Sequence, residues 1–188
     1  MARRRREKNV DINSIVQPIL EFARTHPEYA IVIVFLISFG ECFAFLSWLV
    51  PGTVFFVAFG TVAGAANLGL IQLSISAACG AALGFYVSYL LGRYLGPAAH
   101  HTWPFRSNPA VLDRGHAFFE KWGAPAIFIG HFFGPVRAII ALIAGIVEMP
   151  QAPFHFANIA ASTIWGFAMF YGAGKFGELA NQYLGFLH

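Results

Sequence analysis

Between Glu28 and Arg93 the chain runs for 64 residues with one charged side chain, Glu41. No other feature constrains its fold as strongly. The stretch is several times longer than the ~20 residues that one bilayer crossing needs. A carboxylate stranded in it costs about 2.5–3.5 kcal/mol at mid-depth. The pattern returns between Lys121 and Lys175, where Arg137 and Glu148 are the only charged residues. Just 11% of the residues are charged and 57% are hydrophobic, whereas soluble domains average about 25% charged residues. This excludes an ordinary soluble domain and predicts a small all-α integral membrane protein. An intramembrane charge marks a functional site by default, so Glu41 and Arg137 are the leading candidates.

The remaining charge sets orientation. Six of the twelve Lys and Arg fall in residues 1–28, including the run Arg3-Arg4-Arg5-Arg6. Such a cluster holds an N-terminus in the cytoplasm and touches anionic lipid; nucleic acid is not its expected partner. Some twenty residues of mixed polarity follow the run, which is not the pattern of a cleavable signal peptide. Ile12, Ile15, Val16, Ile19, Leu20 and Ala23 recur at helical spacing, which predicts an amphipathic interfacial helix over 11–24. Cys42 and Cys79 lie in apolar surroundings without any metal-ligand spacing and read as reduced packing residues. No metal or cofactor is expected.

Breakers divide the apolar blocks. Pro51-Gly52 and Asn67-Leu68-Gly69 interrupt the first, into pieces each about the length of a crossing. Residues 93–124 form a polar connection, with a short surface helix expected over Asp113–Trp122. In the second block, Pro125–Gly134 and Val136–Met149 are each too short to cross a core of ~30 Å. Folded about Gly134-Pro135, they predict a re-entrant hairpin, whose irregular backbone must lie inside protein or against water. Phe154–Gly174 then makes one full crossing. The division expected is a basic, amphipathic segment over 1–28, a first membrane repeat over 29–92, the connection over 93–124, a second repeat over 125–175 and a tail over 176–188.

The two repeats are alike in sequence. Gly84, Phe85, Tyr89, Gly92 and Arg93 return 82 residues later as Gly166, Phe167, Tyr171, Gly174 and Lys175. A hairpin plus one crossing in each half gives an odd number of crossings. The halves would then be inverted, the architecture of alternating-access transporters.

Three stretches carry a family resemblance: Phe39-Gly40-Glu41 with Val50-Pro51-Gly52-Thr53, Gly80 to Gly96, and Gly130-His131-Phe132-Phe133-Gly134-Pro135-Val136-Arg137 through Gly145 to Met149. The last continues to Phe154, Asn158 and Trp165. Together, over roughly residues 12–175, they resemble the DedA (SNARE-associated, VTT-domain) membrane proteins. The resemblance implies two opposed re-entrant hairpins and transport or scrambling of lipids. For bacterial members it implies undecaprenyl phosphate as cargo and dependence on proton motive force. It also implies two acidic positions in the first hairpin and two arginines in the second. Glu41 and Arg137 match one of each. Thr53 and His131 stand at the other two, and Phe85 stands where many members carry an Asp, so the ionisable set is reduced.

The residues themselves suit an anion. Arg137 stays charged, and its planar fork matches a phosphate. Broken helices at Pro51-Gly52 and Gly134-Pro135 can turn N–H groups toward it. His131 has a reference pKa near 6.5 and suits a switch; with Glu41 it forms the expected proton-coupling pair. Glu41, Arg137, His131, Thr53 and Asn158 are the expected substrate contacts. The chain is thus expected to be a non-enzymatic transporter of an anionic polyprenyl phosphate in the bacterial cytoplasmic membrane. Its partners are membrane lipids and the lipid phosphate, and a homodimer is compatible with this. The alternatives are an uncoupled phospholipid scramblase and an assembly protein whose Glu41–Arg137 pair is a static lock. A lipid-phosphate hydrolase is disfavoured, since no HExxH or GxSxG motif is present.

Overall fold

A computed structural model describes residues 21, 25–44, 46, 52–65, 68–101, 106, 110–133 and 136–186. The expected helix over 11–24 and the turn residues Pro51, Gly134 and Pro135 lie outside the described residues, as does the side chain of Thr53. All regular structure among the described residues is helical. The helices are α1 (Pro27–Cys42), α2 (Gly52–Ala65), α3 (Leu70–Leu95), α4 (Ala110–Trp122), α5 (Ala124–Gly130), α6 (Val136–Ile146), α7 (Gln151–Phe167) and α8 (Ala173–Phe186). A 3-10 turn, Gly96–His101, follows α3, and a π turn, Ala168–Gly172, joins α7 to α8.

Local chemistry sets several boundaries. Proline opens α1 and α5 within their first two positions, where a missing N–H costs nothing. Gly96 ends α3 with φ +44°, a conformation that glycine adopts freely. After α6 the Met149 N–H donates to the Ala144 carbonyl and the Glu148 N–H to that of Gly145. This is the Schellman pattern, with Glu148 at φ +55° in the place glycine usually takes.

Two helices are shorter than expected. With 16 and 14 residues, α1 and α2 extend about 24 and 21 Å at ~1.5 Å per residue. Neither has the length of a full crossing, because α1 stops at Cys42, well before Pro51. At the other end, the expected tail is helical as far as Phe186.

The 26-residue α3 is the hub and packs against α1, α6 and α7. Among the described residues it is the one helix long and apolar enough to span a bilayer. Its inner face is small and polar: Ala77, Gly80, Ala81, Gly84, Ser88 and Gly92 are buried. Its outer face exposes Ile71, Ile75, Leu83, Leu90 and Tyr94. Small residues let backbones approach, the usual basis of helix contact in lipid. A Cβ at Gly80 or Gly84 would collide with the carbonyls of Phe35 or Phe39 in α1, and one at Gly145 in α6 with the Tyr89 carbonyl.

The contacts are reciprocal between the two expected repeats, 29–92 and 125–175. In each, the helix before the expected hairpin turn (α1, α5) is the first limb and the helix after it (α2, α6) the second. Each first limb packs on the long helix of its own half, α1 on α3 and α5 on α7. Each second limb packs on the long helix of the other half: α6 on α3, and α2 on the π turn and α8.

Candidate functional site

The site lies where the first limb of one half ends and the second limb of the other begins. Glu41 is the penultimate residue of α1, and Arg137 stands in the first turn of α6. The structure brings them together: Arg137 Nη2 pairs with Glu41 Oε1. Both side chains are buried, Arg137 to 1% exposure. Removing one partner of such a pair costs about 3–5 kcal/mol, because the other charge stays behind unpaired.

Aromatic rings enclose the guanidinium. The Arg137 guanidinium carbon lies 4.8 Å from the centre of the Trp165 ring, over its face, a cation–π contact that strengthens away from water. Phe56 of α2 meets Trp165 edge-on at 5.2 Å. His131, wholly buried just past α5, sits 4.5 Å from the Phe85 ring and 6.2 Å from Trp165. Among the described residues, neither nitrogen of His131 nor Nε of Arg137 has a hydrogen-bond partner. Buried polar groups normally have one. The Arg137 Nε–H and the one N–H of a neutral His131 ring are therefore donors that a charged oxygen ligand could use.

Asn158 has another job. Its Nδ2 donates to the Ala82 carbonyl of α3 at 2.9 Å, and its Oδ1 accepts from Ser162 Oγ at 3.2 Å. The Nδ2 bond ties α7 to α3, and the Oδ1 bond to Ser162 holds the amide in place from one turn along α7. Gly52 begins α2, so the first turn of that helix carries the backbone of residue 53. Ser88 secures the end of α1, accepting from the Ala44 N–H at 2.9 Å while its hydroxyl donates to the Gly84 carbonyl of α3 at 2.9 Å. Cys42 is buried and Cys79 exposed, and neither is in a disulfide. Among the described residues no cluster of His, Cys, Asp and Glu could hold a metal ion.

Trp165, Phe56 and Ser88 were not singled out from the sequence. In a chain so rich in aromatic residues, a ring that covers a guanidinium reads like any packing ring. Trp165 was visible only as part of the family resemblance.

Comparison with known proteins now adds to this geometry. The VTT domain matches residues 50–174, a span that contains His131, Arg137, Asn158 and Trp165 and begins after Glu41. The chain is similar to the inner membrane protein YabI of Escherichia coli, 29% identical over 153 residues, which are 80% of this chain and 59% of that protein. It is also similar to the Escherichia coli inner membrane protein YqjA, 30% identical over 134 residues, 71% of this chain and 61% of that one. An uncharacterized membrane protein of Buchnera aphidicola is 29% identical over 137 residues, 73% of this chain and 54% of its own length. The chain thus spans somewhat more than half the length of these relatives. No solved structure matches it. With the domain match covering well over half of its residues, the chain belongs to the VTT-domain, or DedA, family of membrane proteins.

Proposed function

We propose that the chain is a lipid transporter of the bacterial inner membrane that carries an anionic polyprenyl phosphate, undecaprenyl phosphate, between leaflets. The observation that carries this reading is the buried Arg137, held by Glu41 and Trp165, with no partner for Nε among the described residues. A lipid phosphate leaving the headgroup layer needs a charge and donors at depth, while its tail stays in lipid. Arg137 offers a planar fork for that purpose, and His131 is close to the same ring. The phosphate would take Arg137 over from Glu41, and protonation of Glu41 would release the arginine for it.

In this reading α1–α2 and α5–α6 are re-entrant hairpins, and the halves are inverted in the membrane with the N-terminus in the cytoplasm. The reciprocal packing of second limbs on opposite long helices supports that arrangement. The similarity to YabI and YqjA, both inner membrane proteins, supports the choice of membrane.

A second reading, uncoupled scrambling, has its own observation. Phe85, where the resemblance places an acid, fills its position with a ring packed on His131. Leaflet-to-leaflet movement of polyprenyl phosphate in proteoliposomes, followed from about pH 5 to about pH 8, tests both. Coupled transport is expected to vary with pH, and Glu41→Gln to flatten the profile. Movement that is pH-independent in the wild-type chain favours scrambling. No movement above empty liposomes rejects transport.

A further inference from the structure

The helices divide into two groups of unequal cohesion. α3 is bound to α1, α6 and α7, and α5 to α7 and α6. By contrast, α2 packs along α8 and the π turn, and touches α1 and α3 only slightly. Close glycine contacts knit α2 to α8: a Cβ at Gly64 would strike the Gly174 backbone, and one at Gly177 the Thr61 carbonyl. The second group is therefore a two-helix unit, and its helical connection to the first is the π turn Ala168–Gly172. Single π turns inside α-helices are uncommon and concentrate at functional positions, and they are among the few causes of a helix kink.

Among the described side chains, Phe56 links this unit to the site. Phe56 of α2 abuts Trp165 at 5.2 Å and Phe170 of the π turn at 5.6 Å. Phe56, Phe170 and Trp165 are all buried. Trp165 in turn covers the Arg137 guanidinium. Moving α2 away from α7 would remove Phe56 from Trp165 and uncover the side of the charge pair that the tryptophan now closes.

We propose that α2 and α8 form an arm that turns on the π segment Ala168–Gly172, and that Phe56 on this arm gates access to Arg137 by holding Trp165 over it. The purpose of the gate rests on the transport reading; its existence does not. Phe56 is a positioning residue that acts through Trp165. Opening breaks the Phe56–Trp165 contact and slides Gly174 of α8 against Leu70 of α3, while α2 itself touches α1 and α3 only slightly.

The test is a distance distribution between spin labels on the full chain in lipid nanodiscs, by pulsed electron–electron resonance. Labels go on Tyr94→Cys in α3 and Tyr183→Cys in α8, two strongly exposed positions, with Cys42→Ala and Cys79→Ser as background. Two populations are expected. Deleting Ala168 restores ordinary helical pitch and should collapse them to one. Phe56→Ala should raise the ratio of open to closed populations about two- to twelvefold, as for loss of one aromatic contact. A single narrow distance in the labelled parent overturns the proposal. So do populations left unchanged by Phe56→Ala, or by a deletion variant that folds. If the deletion variant does not fold, Phe56→Ala decides. No lipid substrate is needed, so this result and the loss of lipid-phosphate binding in Arg137→Ala can fail independently.

Discussion

Arg137 has two partners of different kinds, a carboxylate and an indole face. A single substitution therefore strands Glu41, whereas a double substitution does not. Arg137→Met is expected to lower stability by about 3–5 kcal/mol, and Arg137→Met with Glu41→Leu to recover most of that loss. Denaturant unfolding in detergent measures both; equal stability of the two variants would mean that the pair is not coupled. Arg137→Lys should fall between wild type and Arg137→Ala in lipid-phosphate binding, because lysine keeps the charge and loses the fork. At this scale the sequence was informative about Glu41 and Arg137, since an isolated charge in an apolar block has few places to go. It was uninformative about Trp165 and Phe56, whose partners come from other helices. Asn158 was legible as a buried polar group, but not in its role: only the fold shows that a helix carbonyl takes its amide.

Helix contacts depend on missing side chains. At Gly145 a methyl group would enter the Tyr89 carbonyl, whereas at Gly172 it would meet only the Phe167 carbonyl at 3.8 Å. Gly145→Ala is therefore expected to cost about 1–3 kcal/mol by overpacking. Gly172→Ala should stay within about 0.5 kcal/mol of wild type. Thermal unfolding of the two variants side by side checks this, and similar losses would show that α6 tolerates displacement from α3. Asn158→Leu should lower stability by about 0.6–1.7 kcal/mol, the range for hydrogen bonds between membrane helices, without changing lipid-phosphate binding. Reduced binding at normal stability would return Asn158 to the site. The short α5 and α6 were legible from Gly134-Pro135 and from the brevity of the pieces on either side. The early end of α1 was not, because no proline or glycine stands at Cys42 to announce it. The π turn was not legible either, since an apolar run such as Ala168-Met169-Phe170 looks the same in either helical register.

The molecule as a whole sets small residues at its close helix contacts and exposes many large apolar ones. Leu36, Ile71, Phe156, Ile159 and Ile164 are exposed while glycines, alanines and serines line the contacts. In water so much exposed apolar surface would drive association; in lipid it is the natural exterior. That character was legible from hydropathy alone, and the 82-residue repeat pointed to two related halves. The crossed packing of second limbs on opposite long helices was not, because it depends on how the halves dock. Docking brings Glu41 and Arg137 together, and the proposed function is that this buried arginine binds a lipid phosphate. Equilibrium binding of radiolabelled undecaprenyl phosphate to the purified chain in nanodiscs tests this most directly. The account predicts saturable binding by the wild type that is lost in folded Arg137→Ala and kept in Asn158→Leu. Binding by folded Arg137→Ala as tight as that of the wild type would contradict it.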